Sequence, residues 1–379
     1  GENDDDQSGH SVSLSSDGSI VAIGARYNNG SGAAFSNTTG HVRVFQYVNN
    51  TWTQLGDDID GEGSGEEFGT SISLSGNGYR IAIGAPFNDR GAPVLTDDGG
   101  AASVYEYTNS AWIKIPFNSP YNGTSIYGEN DFDESGTSVA LSSDGTTVAI
   151  GAPKNGFGNR NNSGHVRVYR YANNSWTKLG NDIDGEDGED KSGTSVSLSS
   201  DGSIVAIGAP YNDGNGGNSG HVRVYKYTNN TWTQLGDDID GNSLNESGTS
   251  ISISNDGTRV AIGAPNQDGY LPLHHGRGGV GSGSLRVYKY VNTNNIWTWT
   301  QIGLDINGEP GSSSSKTSAL SGDGNRVIIG ALGNNFNLDQ VRVFKLLGQD
   351  GNLCPVASND VFTVHEGGTL TIASAQGVL

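Results

Sequence analysis

Short apolar runs recur along the chain, separated by stretches rich in Gly, Asn, Asp and Ser. In one unit, apolar and small polar residues alternate over 194–198, and a nearly continuous apolar run covers 204–209. A second alternating run covers 221–227, and a more polar run covers 231–236. Alternation is typical of a strand with one covered face, and a continuous apolar run of a strand covered on both faces. Each unit therefore predicts four strands, A to D, without helical periodicity.

The unit occurs six times, at steps of 55 to 67 residues. Its first tight turn is marked by a glycine at Gly18, Gly78, Gly145, Gly202, Gly257 and Gly324. A unit this short cannot bury its own apolar face and must stack on its neighbours. The predicted fold is all-β, a six-repeat β-propeller of four-stranded blades, or seven-bladed if further repeats precede Gly1. A β-solenoid is the alternative, although its coils are usually shorter than this period.

The charge balance restricts the partners of such a fold. The chain has 21 Lys and Arg against 41 Asp and Glu, a formal net charge of −20. A surface this acidic repels nucleic acid and anionic membranes, and no segment approaches the roughly 20 apolar residues that cross a bilayer. The single cysteine, Cys354, excludes an internal disulfide framework, and Met is absent. Because so little can be oxidised, an extracellular or cell-surface location is favoured.

Two short motifs flank the predicted strands. Phe-Gly-Thr-Ser occurs at 68–71 and Ile-Gly-Ala-Pro at 83–86, and Gly-Ala-Pro recurs at 151–153, 208–210 and 263–265. These motifs resemble the landmarks of FG-GAP repeats, which build the propeller of integrin α-subunits. The resemblance extends over about residues 1–347 and implies a propeller with an adhesive or ligand-binding role.

The A-to-B turn departs from that family. Integrin-type repeats often carry an Asp-x-Asp-x-Asp-Gly calcium loop there, whereas this chain has Ser-Ser-Asp-Gly, with one carboxylate at Asp17, Asp144 or Asp201. One carboxylate is too few for a calcium cage. The aspartate is instead predicted to cap its own turn by bonding the backbone.

The end of the chain differs from the repeats. Residues 355–373 resemble the opening strands of a bacterial cadherin-like or Ig-like adhesin module, which implies a larger modular chain. The predicted domains are the propeller at 1–348, a linker at 349–354, and the start of a following module, or a terminal strand, at 355–379.

The sixth repeat lacks a recognisable strand D after 341–347. In the other repeats a tryptophan marks this strand, at Trp52, Trp112, Trp176, Trp232 and Trp297. We expect the ring to close through a borrowed strand, because an unpaired strand edge invites aggregation. The strand is supplied by residues upstream of Gly1 or by 360–371 folding back.

Ligand-binding candidates come from the long connections. In a four-stranded propeller the D-to-A and B-to-C connections share one face, here called the loop face, and both are long and variable in this chain. Variable loops on a rigid scaffold are usual binding sites. Two loops that break the repeat pattern provide the candidate ligand-binding residues Tyr121, Tyr127, Tyr270, His274, His275 and Arg277.

Carboxylates on the loop face predict calcium binding. Closely spaced hard oxygen ligands suit this ion, although solvated turn carboxylates are an equal alternative. The candidate ligands are Asp4, Asp6, Asp131, Asp133, Asp184, Glu186 and Asp213. His41, His165 and His221 recur at one repeat position and are interpreted as structural.

No nucleophile elbow, phosphate loop or helical metal-binding His pair is present in the sequence. The favoured function is a non-catalytic extracellular module for adhesion or for binding a glycan or protein ligand, with calcium as the candidate stabilising ion. A polysaccharide-active lyase or glycosidase and a structural filament building block are the alternatives.

Overall fold

The computed structural model describes residues 1–29, 38–89, 98–117, 124–156, 161–267, 282–308, 314–331 and 340–346, with two further strand segments near the end. These residues form six β-sheets arranged as a six-bladed propeller of four-stranded blades, which confirms the predicted fold class. Among them, no helix is long and apolar enough to span a bilayer.

The first three blades have the following strands. Blade one contains β1 (Ser8–Leu14), β2 (Ile20–Ala25), β3 (His41–Val48), β4 (Thr51–Gln54) and β5 (Ile59–Asp60). Blade two contains β6 (Ser71–Leu74), β7 (Arg80–Ala85), β8 (Ala101–Thr108), β9 (Ala111–Lys114) and β10 (Ile126–Tyr127). Blade three contains β11 (Ser138–Leu141), β12 (Thr147–Ala152), β13 (His165–Ala172), β14 (Ser175–Lys178) and β15 (Ile183–Asp184).

The other three blades repeat the plan. Blade four contains β16 (Ser195–Leu198), β17 (Ile204–Ala209), β18 (His221–Thr228), β19 (Thr231–Gln234) and β20 (Ile239–Asp240). Blade five contains β21 (Ser250–Ile253), β22 (Arg259–Ala264), β23 (Ser284–Thr293), β24 (Ile296–Gln301) and β25 (Ile306–Asn307). Blade six contains β26 (Thr317–Leu320), β27 (Arg326–Ala331), β28 (Gln340–Lys345), β29 (Val356–Ala357) and β30 (Phe362–Thr363).

Each blade is an antiparallel meander whose outermost strand is split in two. In blade one, β4 and β5 both pair with the same edge of β3. The second piece was not predicted, because two residues are too few to show a periodicity. It places Asp60 opposite His41 at the beginning of the third strand. In blade five, the residue opposite Tyr290 is Trp299, so Trp299 and not Trp297 occupies the position that Trp232 has in blade four.

The turns follow the local chemistry that the sequence predicts. Asp17 Oδ1 accepts the backbone N–H of Ser19 at 2.9 Å and the Ser15 hydroxyl at 2.7 Å, so the aspartate caps its own turn as predicted. Asn49 and Asn50 join the third and fourth strands with φ of 52° and 64°. Asparagine tolerates this left-handed conformation, which a two-residue hairpin turn requires.

Neighbouring blades pack through their apolar faces. Between blades three and four, one buried cluster includes Val166, Val168 and Ile183 from one side and Val205 and Ile207 from the other. Similar clusters join blades one and two, two and three, four and five, and five and six. The second strand of blade four is buried along its whole length, which confirms the prediction that this strand is covered on both faces.

The landmark glycines of the repeat meet across these junctions. A Cβ atom at Gly151 would lie 2.0 Å from the carbonyl oxygen of Gly193 in the next blade, so only glycine permits this approach. The hydroxyl of Ser138 donates to the same carbonyl at 2.8 Å. The glycine of Gly-Ala-Pro and the glycine before the next inner strand therefore form one contact between blades.

The junction between blades six and one is different. Leu14 of β1 is 61% exposed, whereas the equivalent Leu74 of β6 is 6% exposed. A Cβ at Gly330 would have only atoms of Thr317, in its own blade, as nearest neighbours, and a Cβ at Gly9 would meet nothing within 4 Å. Within the described part of the chain, the propeller thus has five packed junctions and one open junction. A segment from the predicted range 360–371 does cover the outer edge of blade six, but among these residues blade six does not pack on blade one.

Backbone hydrogen bonds between the A-to-B turns show the same interruption. In each packed junction, one turn donates an N–H to a carbonyl of the next turn; the donors are Ser16, Gly76, Ser143, Ser200 and Asn255. No equivalent bond joins Gly322 of blade six to Ser16 of blade one, although both residues are described.

The end of the chain occupies the outer edge of blade six. β29 and β30 both pair with β28, in the positions that β4 and β5 occupy in blade one. β30 lies within the segment 360–371 that the sequence offered as a returning strand, and β29 lies just before it. The proposed linker and most of 355–379 lie outside the described residues.

Candidate metal centres and ligand-binding face

Three equivalent groups of His, Glu and Asp occur among the described residues. They are the blade-one cluster (Glu2, His41, Asp58), the blade-three cluster (Glu129, His165, Asp182) and the blade-four cluster (Glu186, His221, Asp238). Within each cluster, one ligand atom from every residue lies within 4.8 Å of the others. The chain therefore carries acidic and imidazole groups that could bind a metal ion.

Each cluster is assembled from three parts of one blade. The histidine is the first residue of the third strand, and the glutamate lies on the connection that leads into the first strand. The aspartate directly precedes the second piece of the outer strand. Strand C begins, and the D-to-A connection runs, on the loop face, so the clusters lie on that face.

The imidazoles face the carboxylates at more than hydrogen-bond length. His41 Nδ1 lies 3.7 Å from Asp58 Oδ2 and 3.9 Å from Glu2 Oε2. His221 Nδ1 lies 3.5 Å from Asp238 Oδ2. The His41 and His221 side chains are 2% exposed, whereas the carboxylates beside them are 27–47% exposed. Each cluster thus has a buried nitrogen ligand at its base and oxygen ligands reachable from solvent.

The electrostatic environment keeps two of these imidazoles neutral. Burial, followed by the nearby Arg223 guanidinium, lowers the pKa of His221 to about 4. Burial and Arg167 lower the pKa of His165 to about 3. A neutral imidazole retains a lone pair and can act as a metal ligand.

Nearby groups position the carboxylates. Gln54 Nε2 donates to Asp58 Oδ1 at 2.6 Å, which leaves Oδ2 directed at His41. Arg43 Nη1 lies 3.5 Å from Glu2 Oε1, so the other oxygen faces the imidazole.

The turn that carries each glutamate is held by a buried carboxylate. Asp6 Oδ2 accepts the N–H groups of Glu2 and Asn3 at 3.1 and 2.8 Å, and the side-chain amide of Asn28 at 3.1 Å. Asp133 Oδ2 makes the same three bonds in blade three, to Glu129, Asn130 and Asn155. The predicted ligands Asp6 and Asp133 are therefore engaged with N–H donors, and they position Glu2 and Glu129.

The remaining predicted metal ligands are dispersed. Asp184 lies opposite His165 in the pairing of β15 with β13. Glu186 belongs to the blade-four cluster. Asp213 Oδ1 accepts the Asn218 N–H at 2.7 Å within the B-to-C connection. Asp131 lies in the same turn as Asp133.

Asp4 lines a cavity of its own. This cavity of about 180 Å³ is bounded by Asp4, Asp5, Tyr27, Asn29 and Thr38. Asn29 Oδ1 is buried, and no hydrogen-bond partner for it is found in the described structure. The cavity therefore combines two carboxylates with a buried amide oxygen.

Of the predicted ligand-binding residues, Tyr127 is described. It lies in β10, and its carbonyl accepts Arg167 Nη2 at 2.6 Å. Tyr121, Tyr270, His274, His275 and Arg277 lie outside the described residues. A groove that the sequence did not indicate, of about 290 Å³, lies between the outer strands of blades three and four. Its lining includes Asp182, Asp184, Tyr225, Asn230 and Trp232.

The comparisons agree with the repeat and with the fold. The FG-GAP repeat family model matches residues 183–225, from β15 into the third strand of blade four, so this segment resembles one FG-GAP repeat. No curated relative matches the chain.

Several solved structures share the architecture. Hydrazine synthase of Kuenenia stuttgartiensis is 14% identical, over 90% of this chain and 78% of that chain, with a TM-score of 0.55. The periplasmic gluconolactonase of Pseudomonas aeruginosa is 14% identical, over 94% of this chain and 88% of that chain, with a TM-score of 0.53. A hypothetical selenium-binding protein of Sulfolobus tokodaii is 10% identical, over 95% of this chain and 81% of that chain, with a TM-score of 0.57. At these identities the likeness shows the fold alone.

Proposed function

We propose that the chain is a non-catalytic, adhesive or ligand-binding module of a larger extracellular or cell-surface protein, with a glycan as the favoured ligand and a protein as the alternative. The groove between blades three and four is the observation that carries this proposal. Its lining is mostly polar and places the aromatic side chains of Tyr225 and Trp232 beside Asp182, Asp184 and Asn230. Aromatic surface next to hydrogen-bonding groups is what a glycan or a peptide requires. Nucleic acid is not an expected partner, because the net charge is −20.

A glycan array tests this function. Asp184→Asn should weaken the binding of the selected glycan, because the groove loses a charged acceptor. Asp201→Asn, in an A-to-B turn, is the matched control: blade two already has Asn77 at that turn position, bonded to the Tyr79 N–H at 3.0 Å. Absence of any glycan or protein ligand, or equal weakening by both variants, would contradict the proposal.

Calcium is the proposed stabilising ion, and the Asp4 cavity is its best-supported site. Two carboxylates and the buried Asn29 Oδ1 are hard oxygen donors of the kind that calcium prefers. Binding to the folded state alone should raise stability by about 1–3 kcal/mol at saturating ion. Thermal melting in calcium and in chelator measures the gain, which Asp4→Asn with Asp5→Asn should remove. Identical melting in both conditions would reject calcium.

Enzymatic activity is the second candidate, because one of the similar folds is a gluconolactonase and imidazole–carboxylate groups are common in hydrolytic sites. Turnover of a sugar lactone or a polysaccharide by the wild-type chain, lost in His221→Gln, would favour an enzyme over a binding module. Regular end-to-end particles in electron micrographs would instead favour the filament function.

A further inference from the structure

The three His/Glu/Asp clusters differ from the all-oxygen Asp4 cavity in containing a nitrogen ligand. Imidazole suits Zn²⁺ and neighbouring divalent transition metals, whereas calcium takes oxygen ligands. Ligand distances about such an ion are about 2.0–2.2 Å, so two ligands of one ion lie about 3–3.5 Å apart. His41 Nδ1 lies 3.7 and 3.9 Å from its two carboxylates, and His221 Nδ1 lies 3.5 Å from Asp238, so these separations are close to that value and long for hydrogen bonds. The ligand atom of Glu186 lies within 4.8 Å of the other two in its cluster.

The repeats provide a second, independent observation: in blades two and five, where the histidine is replaced, one of the two carboxylates is replaced as well. Blade two has Ala101 in register with His41, and Ser125 in place of the aspartate. Blade five has Ser284 at the histidine position, and its retained Asp305 is paired with Arg286 Nε at 3.1 Å. A histidine needed only to fill the blade would not require two carboxylates beside it.

The blade-three cluster has an internal cation. Lys178 Nζ lies 2.7 Å from Asp182 Oδ1. The blade-one and blade-four clusters have glutamine at the same position, Gln54 and Gln234, each donating to the aspartate at 2.6 Å. The lysine charge opposes a metal ion, whereas the glutamine orients the carboxylate without opposing one.

We propose that the blade-one and blade-four clusters each bind one divalent transition-metal ion, with His Nδ1 and one oxygen from each carboxylate as ligands, and that Lys178 prevents this in blade three. The arginine beside each glutamate, Arg43 or Arg223, holds the other carboxylate oxygen at 3.5 or 3.2 Å. It orients the ligand and moderates the affinity. Water fills the open coordination positions, since the carboxylates face solvent.

Titration of the whole chain with Zn²⁺ by calorimetry tests the proposal. The wild-type chain should bind about two ions at these sites, and each of Glu2→Gln and Glu186→Gln should remove about one. Both glutamates are more than 40% exposed, so these variants leave the buried imidazoles and the fold intact. His165→Gln should leave the number of bound ions unchanged, and Ca²⁺ should not compete.

Lys178→Gln is the decisive variant. It gives blade three the same arrangement as blades one and four, so the number of bound ions should rise to about three. Co²⁺ in place of Zn²⁺ should give a visible absorption band that is lost in the doubly substituted Glu2→Gln, Glu186→Gln chain. Unchanged Zn²⁺ binding in that double variant, or loss of binding in His165→Gln, would overturn the proposal. Because Asp4 and Asp5 are untouched, failure here is distinguishable from failure of the calcium proposal.

Discussion

The junction between blades three and four and the junction between blades six and one are built from the same repeat, yet only the first is packed. Val205 and Ile207 are at most 2% exposed in the packed junction, whereas the equivalent Val21 and Ile23 of blade one are only partly buried, and Val12 and Leu14 on the strand beside them are 65% and 61% exposed. Apolar character of a strand face does not by itself bury that face. Burial here also needs a neighbour whose backbone comes within contact distance, as at Gly151 and Gly193.

The largest difference should come from adding one methyl group at equivalent glycines. Gly151→Ala places a Cβ 2.0 Å from a backbone carbonyl of the next blade, and backbone cannot move aside cheaply. It should lower the free energy of unfolding by about 3 kcal/mol or more. Gly330→Ala meets only the Thr317 side chain, which can rotate, so its cost should stay under about 1 kcal/mol. Urea denaturation of both variants measures the contrast, and equal costs would show that the sixth junction is packed in solution.

Removing matched leucines should give the next largest contrast. Leu74→Ala deletes a buried side chain and should destabilise by about 2–4 kcal/mol. Leu14→Ala deletes an exposed one and should change stability by under about 0.5 kcal/mol. Differential scanning calorimetry of the two variants gives the comparison. A large effect of Leu14→Ala would mean that another surface covers blade one.

A smaller contrast should come from the outer tryptophans. Trp112 Nε1 donates to the Leu55 carbonyl of the preceding blade at 2.7 Å, whereas Trp52 of blade one is 46% exposed. Trp112→Phe should therefore cost about 1 kcal/mol more than Trp52→Phe. Indole fluorescence lost in each variant should also separate the partly buried ring of Trp112 from the more exposed ring of Trp52. The reverse order of costs would contradict the assignment of the open junction.

The smallest difference between blade one and blade four is expected in how the turn aspartates Asp17 and Asp201 respond to acid. Each of them bonds only groups of its own turn, so junction packing should not matter. The Ser19 N–H and neighbouring hydroxyls lower the pKa of Asp17 to about 2, and hydrogen bonds from Ser203 and Ser199 lower that of Asp201 despite its partial burial. Since the pKa is lower in the folded state, this stabilisation is present above about pH 4 and is lost as the pH falls towards about 2. Asp17→Asn and Asp201→Asn should each reduce, by similar amounts, the loss of unfolding free energy between pH 5 and pH 2.5. Urea denaturation at the two pH values measures this loss. A response confined to Asp201→Asn would tie the turns to junction packing.

The fold was largely predictable because its signals are local. The doubly covered strand at 204–209, the Asn49–Asn50 turn and the Asp17 cap each depend on a few adjacent residues. The open junction was not predictable, because Leu14 and Leu74 occur in nearly identical sequence. Only the spatial neighbour distinguishes them.

The candidate metal centres were missed for a related reason. Glu2, His41 and Asp58 are distant in sequence and come together only through the strand register and the turn held by Asp6. The sequence did contain a usable signal. Histidine occurs at 41, 165 and 221 where glutamate and aspartate both accompany it, and it is replaced at 101 and 284 where one of them is missing.

The open junction also determines how far apart along the chain the folding contacts lie. Across packed junctions, Ser195 and Gly248 are 53 positions apart, and Ser252 and Leu320 are 68 positions apart. Joining blade six directly to blade one would pair residues roughly 300 positions apart, at an added loop-closure cost of about 1.4 kcal/mol. Without that step the contact order is lower than a closed ring would have, and rates of folding rise as contact order falls. The chain can therefore fold one blade at a time in the order of its synthesis, each new blade docking on the blade before it.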